Sequence, residues 1–85
     1  MNMEKIKFEV EVEENDYTVI EKTFENKDEA NDFYDKYFSK YSDLEYESED
    51  TDDEVRCIVY LFEIDEDGYR DLTCSESFYV DFDLL

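Results

Sequence analysis

In a chain where 42% of residues are charged, the stretch Val55 to Ile64, VRCIVYLFEI, has one place to go. Only Arg56 and Glu63 interrupt its apolar character, and β-branched and aromatic residues fill most of the rest. Ten residues are too few for a membrane span, which needs about 20. The run is predicted to be a central β-strand, covered at least in part on both faces. A central strand needs a neighbour on each side, so the remaining sequence must supply a sheet.

It does so by alternation. Ile6, Phe8, Val10 and Val12 alternate with Lys7, Glu9, Glu11 and Glu13, the pattern of a half-buried strand. Glu14, Asn15 and Asp16 suit a hairpin, and Tyr17 to Phe24, YTVIEKTF, reads as the returning strand. Asp67-Gly68 signals a second hairpin, because glycine takes positive φ readily. Beyond it Leu72, Cys74, Phe78, Val80 and Phe82 share one parity, while Glu76 interrupts it and predicts a bulge between Ser75 and Ser77.

Between the second and third strands the period changes. Asn26 is a good N-cap, with Asp28 and Glu29 favourably placed in the first turn. Ala30, Phe33, Tyr34, Tyr37, Phe38 and Tyr41 then follow helical spacing as one aromatic stripe. The helix is expected to end near Tyr41 to Asp43, with Lys36 and Lys40 close to its C-terminal dipole. Leu44 to Ser48, LEYES, is a short strand or part of a loop. The fold class is α+β: an antiparallel sheet of four or five strands with one helix packed on one face, β-β-α-β-β, or β-β-α-β-β-β if LEYES forms a strand. With no proline and one glycine, residues 1–85 show no linker and form a single acidic domain.

The charge balance restricts function. Against 28 Asp and Glu stand 8 Lys and Arg, a formal net charge of −20. That exceeds the roughly 2–8 charges that keep a small domain soluble, and it repels itself. Direct contact with nucleic acid or an anionic membrane surface is excluded for want of cations, and basic partners are favoured. There is no histidine, which removes Ser-His-Asp and Cys-His catalysis and the commonest metal ligand. Two cysteines, Cys57 and Cys74, cannot hold zinc alone, and with no leader visible in MNMEKIKFEV they are expected reduced, in a cytoplasm. EIDEDGYRDLTC shares the spacing of Glu63, Asp65, Asp67 and Gly68 with half of a calcium loop. Arg70 and Cys74 fall where that motif needs an apolar residue and a glutamate, so a plain hairpin is favoured. No enzymatic activity, cofactor or metal is expected.

What remains is the placement of the carboxylates. From Asp43 to Glu54, eight of twelve residues are acidic and none is basic. The candidate partner-binding residues are Glu45, Tyr46, Glu47, Glu49, Asp50, Asp52, Asp53 and Glu54, together with Asp65, Glu66 and Asp67 at the second hairpin. Glu9, Glu11, Glu13, Glu14 and Asp16 form a third group. Carboxylates on one strand face recur about every 6.8 Å, and one strand of DNA presents a phosphate about every 3.4 Å, so such rows imitate a nucleic-acid backbone coarsely. Tyr46 and Tyr79 add contact area at low entropic cost.

In size, charge and these carboxylate rows the chain resembles the phage-encoded acidic DNA-mimic inhibitors of the anti-CRISPR and anti-restriction type. The likeness lies in character and in no motif. It implies a stoichiometric inhibitor, not an enzyme, that blocks the basic DNA- or RNA-binding groove of a bacterial defence nuclease, a CRISPR–Cas effector first among them. Two alternatives stand beside it: an immunity protein for a basic nuclease toxin, and an acidic structural or interaction subunit, with a homodimer compatible with any of the three.

Overall fold

The structure is a computed structural model that describes residues 6–48 and 53–85. Strands β1 (Lys7–Glu14) and β2 (Tyr17–Phe24) are followed by helix α1 (Lys27–Glu47), then β3 (Glu54–Ile64), β4 (Arg70–Asp81) and a closing 3-10 turn, Phe82–Leu84. The four strands form one sheet in the order β2-β1-β3-β4, antiparallel throughout. The α+β class and the β-β-α-β-β order are as the sequence predicts. Because β1 is antiparallel to both β2 and β3, those two run parallel, and a parallel pair needs a long crossover. Helix α1 is that crossover, laid over one face of the sheet.

Turn chemistry sets both hairpins. Asn15 (φ 54°) and Asp16 (φ 69°) both take the left-handed conformation, as a two-residue hairpin of the primed type requires. At the other hairpin Gly68 N donates to Asp65 O at 3.0 Å with φ 88°, and Asp65 Oδ1 accepts from Asp67 N and Tyr69 N at 2.9 and 3.0 Å. The helix opens at Asn26, whose side-chain oxygen accepts from Asp28 N and Glu29 N.

The core lies between α1 and one face of the sheet. Val10 and Val12 of β1, Val55, Cys57, Val59 and Leu61 of β3, and Phe78 and Val80 of β4 are buried there beneath Ala30 and Tyr41. Phe33, Tyr34, Tyr37 and Leu44 pack at its margin. Tyr41 is fully enclosed, and its hydroxyl donates to Glu14 Oε2 at 2.6 Å. Burial and that bond raise its pKa well above the ordinary tyrosine value. Burial likewise pushes the Cys57 thiol up to about 11, and both cysteines are free, Cys57 buried and Cys74 exposed.

Three expectations are corrected. The helix does not end near Tyr41 to Asp43 but runs to Glu47, so LEYES is its last turn and cap, and the fifth strand is absent among the described residues. Leu44 continues the apolar stripe one turn beyond Tyr41, which draws the helix on. Its last turn therefore holds no cation, and Lys36 and Lys40 lie further back. The bulge in β4 sits earlier than expected. Cys74 pairs with Leu61 and Leu72 with Phe62, so Thr73 is the extra residue, and Leu72 turns to the face opposite the core.

Candidate partner-binding surface

The sequence groups the acidic residues of 45–54 with those of 65–67, and the fold separates them. Glu54 opens β3 and Asp65 follows its end, so about ten strand steps, roughly 34 Å, lie between the two clusters. They mark opposite ends of the molecule. What joins them is the third group, Glu13, Glu11 and Glu9, which runs along β1 on the face away from the helix.

At the first end, α1 meets the edge of the sheet. Glu45 Oε2 accepts from Tyr79 N at 2.7 Å, and Ser48 Oγ accepts from Asp81 N at 2.8 Å while donating to Leu44 O at 2.7 Å. Glu45 thus satisfies an outward amide of edge strand β4, which explains an acid in the last helical turn where the macrodipole disfavours it. Glu47, Asp53 and Glu54 are exposed, and Tyr46 is 91% exposed. Phe82 N donates to Asp53 O at 2.9 Å. Glu49, Asp50 and Asp52 lie outside the described residues. The β1–β2 hairpin reaches the same end, where Asp16 pairs with Arg56 at 3.3 Å. At the far end Glu66 and Asp67 are exposed around a shallow, open depression that they share with Ile6 and Asp65, while Asp65 is engaged by its own turn.

Between the ends, the helix-free face carries a group that sequence reasoning missed. Glu9 is only 6% exposed there, although no helix covers it. Arg70 reaches from β4 across β3, with its guanidinium 4.0 Å from the centre of the Phe62 ring. Its Nη2 lies 2.8 Å from Glu9 Oε1 and 2.8 Å from Glu11 Oε2. Only the Glu11 contact is aligned as a hydrogen bond; buried Glu9 Oε1 has an ion contact and no hydrogen-bond donor. Burial raises the Glu9 pKa, Arg70 opposes the rise, and Glu21 and Glu11 add to it. Tyr60 stacks on Phe62 at 5.7 Å between ring centres, and Leu72 and Tyr79 stand 54% and 53% exposed on the same face. The signal was in the sequence: β1 paired with β3 sets Glu9 opposite Phe62 and Glu11 opposite Tyr60.

The body measures 56 × 21 × 16 Å. Without Glu4, Lys5, Glu49, Asp50 and Asp52, which lie outside the described residues, the 28 acids and 8 bases become about 24 and 7, a net of about −17. Along the long axis that is one net charge per ~3.3 Å, beside ~3.4 Å between phosphates on one DNA strand. Most described cations are already engaged: Lys22, Lys36 and Lys40 lie over aromatic rings, and Arg56 and Arg70 pair with carboxylates. No helix among the described residues is long and apolar enough to cross a membrane. Comparison with protein-family models, with curated proteins and with solved structures finds no match.

Proposed function

We propose that this protein is a non-enzymatic inhibitor that imitates a nucleic-acid backbone and occupies the basic groove of a bacterial defence nuclease, with a CRISPR–Cas effector as the first candidate, in the cytoplasm of the host. The observation that carries the reading is the rod-like body with, on average, one net negative charge per ~3.3 Å of its length, a mean charge density like that of phosphates along one strand. The trail of acids from Glu54 and Glu47 through Glu13 to Asp67 gives a groove lined with Lys and Arg something to follow, with Glu11 and Glu9 in the middle already held by Arg70. Tyr46 adds contact area at one end. Glu47, Glu54, Glu66 and Asp67 project to solvent as the outer anions, and Glu45, Asp53 and Asp65 also serve the fold.

The test is competition. The protein, immobilised, is used to capture a basic nuclease from a bacterial lysate, and the capture is challenged with duplex DNA and with salt. Displacement by DNA, and affinity that falls steeply as salt rises, are expected because exposed charges are screened beyond about 10 Å at 0.1 M. An affinity that is flat from low to high salt sinks the reading.

A further inference from the structure

A charged rim gives steering, but affinity is concentrated where aromatic and arginine side chains are fully desolvated. Both acidic ends expose apolar side chains, Tyr17, Tyr46 and Phe82 at one and Tyr69 at the other, but no ring there among the described residues holds a seated guanidinium. The helix-free face has one. It combines Tyr60, Phe62 and Leu72 with a carboxylate pair, Glu9 and Glu11, Glu9 Oε1 is buried without a hydrogen-bond donor, and Tyr79 stands further along the same face, opposite Arg56.

Arg70 shows what that arrangement holds. A planar cation lies on the Phe62 ring at 4.0 Å and places one nitrogen 2.8 Å from each carboxylate. An aromatic floor with anions at its edge suits a guanidinium and fits a lysine ammonium poorly, because lysine has no plane to stack. Arg70 is the chain's own occupant, and its side chain is still 43% exposed on a flexible stem. An arginine from outside can therefore take its place. One guanidinium then replaces another, so the electrostatic balance changes little. The gain comes from covering Leu72 and Tyr60 beside the seat and Tyr79 further along the face.

We propose that the helix-free face is the surface that meets the basic partner, with an arginine of that partner seated on Phe62 between Glu9 and Glu11 in place of Arg70. This rests on the partner being basic, as in the function proposed above, and it moves the centre of the contact away from the two acidic ends.

Nuclear magnetic resonance titration of the ¹⁵N-labelled protein with nona-arginine and nona-lysine peptides at low salt tests it, in the native chain, in Arg70→Gln and in the double variant Leu72→Ala/Tyr79→Ala. Arg70→Gln vacates the seat, and its added negative charge favours both peptides alike. The affinity ratio of nona-arginine to nona-lysine is expected to rise about fivefold, the worth of a partly desolvated cation–π contact. Shift changes should centre on Tyr60, Phe62 and Leu72. The double variant alters two exposed side chains and tests the same face without touching the ion pairs. It should lose about fivefold for nona-arginine and less than about twofold for nona-lysine. An unmoved ratio in both variants overturns the inference. So does binding whose shift changes are confined to Glu45–Ser48, Asp53–Glu54 and Asp65–Asp67, and in that case the proposed function stands. If neither peptide binds the native chain at low salt, both proposals fall.

Discussion

The two faces of the sheet are made from the same strands by different rules. Under the helix, β1 presents Val10 and Val12, β3 presents Val55, Cys57, Val59 and Leu61, and these pack against the aromatic stripe of α1 and Phe78, apolar and closed to water. On the other face the alternate residues of those strands are Glu9, Glu11 and Glu13 beside Ile58, Tyr60 and Phe62. Ile58 and Glu9 are buried there all the same, one apolar and one ionisable, and Arg70 supplies a cation where the covered face needs none. The covered face is closed by packing, which is hard to perturb locally. The open face is held by one arginine, which can be exchanged.

The largest effect should come from the covered face. Tyr41→Ala removes a fully buried ring and is expected to cost about 3–5 kcal/mol in urea unfolding. Tyr79→Ala on the open face should stay within about 0.5 kcal/mol. Equal costs would erase the distinction between the faces. Tyr41→Phe isolates the bond to Glu14 and should cost about 1.5–3 kcal/mol, as hydrogen bonds to charged groups do.

Next in size is the response to charge. Raising salt should lift the melting temperature by about 4–8 °C, equivalent to about 1 kcal/mol, as screening relieves self-repulsion. Mild acid should act in the same direction. The folded-state pKa of Glu9 is raised above 4.5, so the stability it contributes is fully present below that value and is lost as pH climbs through the raised one. Glu9→Gln should therefore stabilise the protein at pH 7 and flatten this part of the pH profile. A melting temperature that falls steadily from pH 7 to pH 5 would contradict it. The covered face responds only in alkali. Cys57 and Tyr41 resist ionisation, so their contributions hold below the ordinary values of 9.0 and 10.0 and are lost as pH rises through their raised ones.

Smaller still is Arg70→Gln, which should cost about 0.5–1 kcal/mol at neutral pH, discounted because the guanidinium is partly solvated. The loss should shrink as pH falls through the raised pKa of Glu9, where it gains its proton; a loss independent of pH would mean that Arg70 acts through packing alone. The last comparison changes no stability. Ellman's reagent should label Cys74 in the native protein and reach Cys57 only on unfolding.

The elements that sequence reasoning placed well are those fixed by neighbours in the chain. The alternation of β1, the density of β3, the Asn26 cap and the hairpin at Gly68 are local signals. The end of the helix is not, because what stabilises Glu45 and Ser48 there are amides 34 and 33 residues away. The bulge at Thr73 depends on how β4 registers against β3. The acidic clusters were legible in the sequence as separate groups, but the distance between them was not, because the length of β3 sets it. The Arg70 seat needs three strands side by side, and its residues span Glu9 to Arg70, so no short window displays it.

The ties at the end of α1 have a consequence of another kind. Ser48 Oγ accepts from Asp81 N and Asp53 O accepts from Phe82 N, so the chain leaves and re-enters the fold at two consecutive amides. Ser48 and Asp53 are each tied at the end of β4 by a bond that does not involve residues 49–52. Closing a longer connection costs only about 0.6 kcal/mol for each doubling of its length. This makes the junction a place where the gene can accept insertions, deletions and reversals of charge while the sheet stays unchanged. Charge and architecture can therefore change independently of each other at this junction.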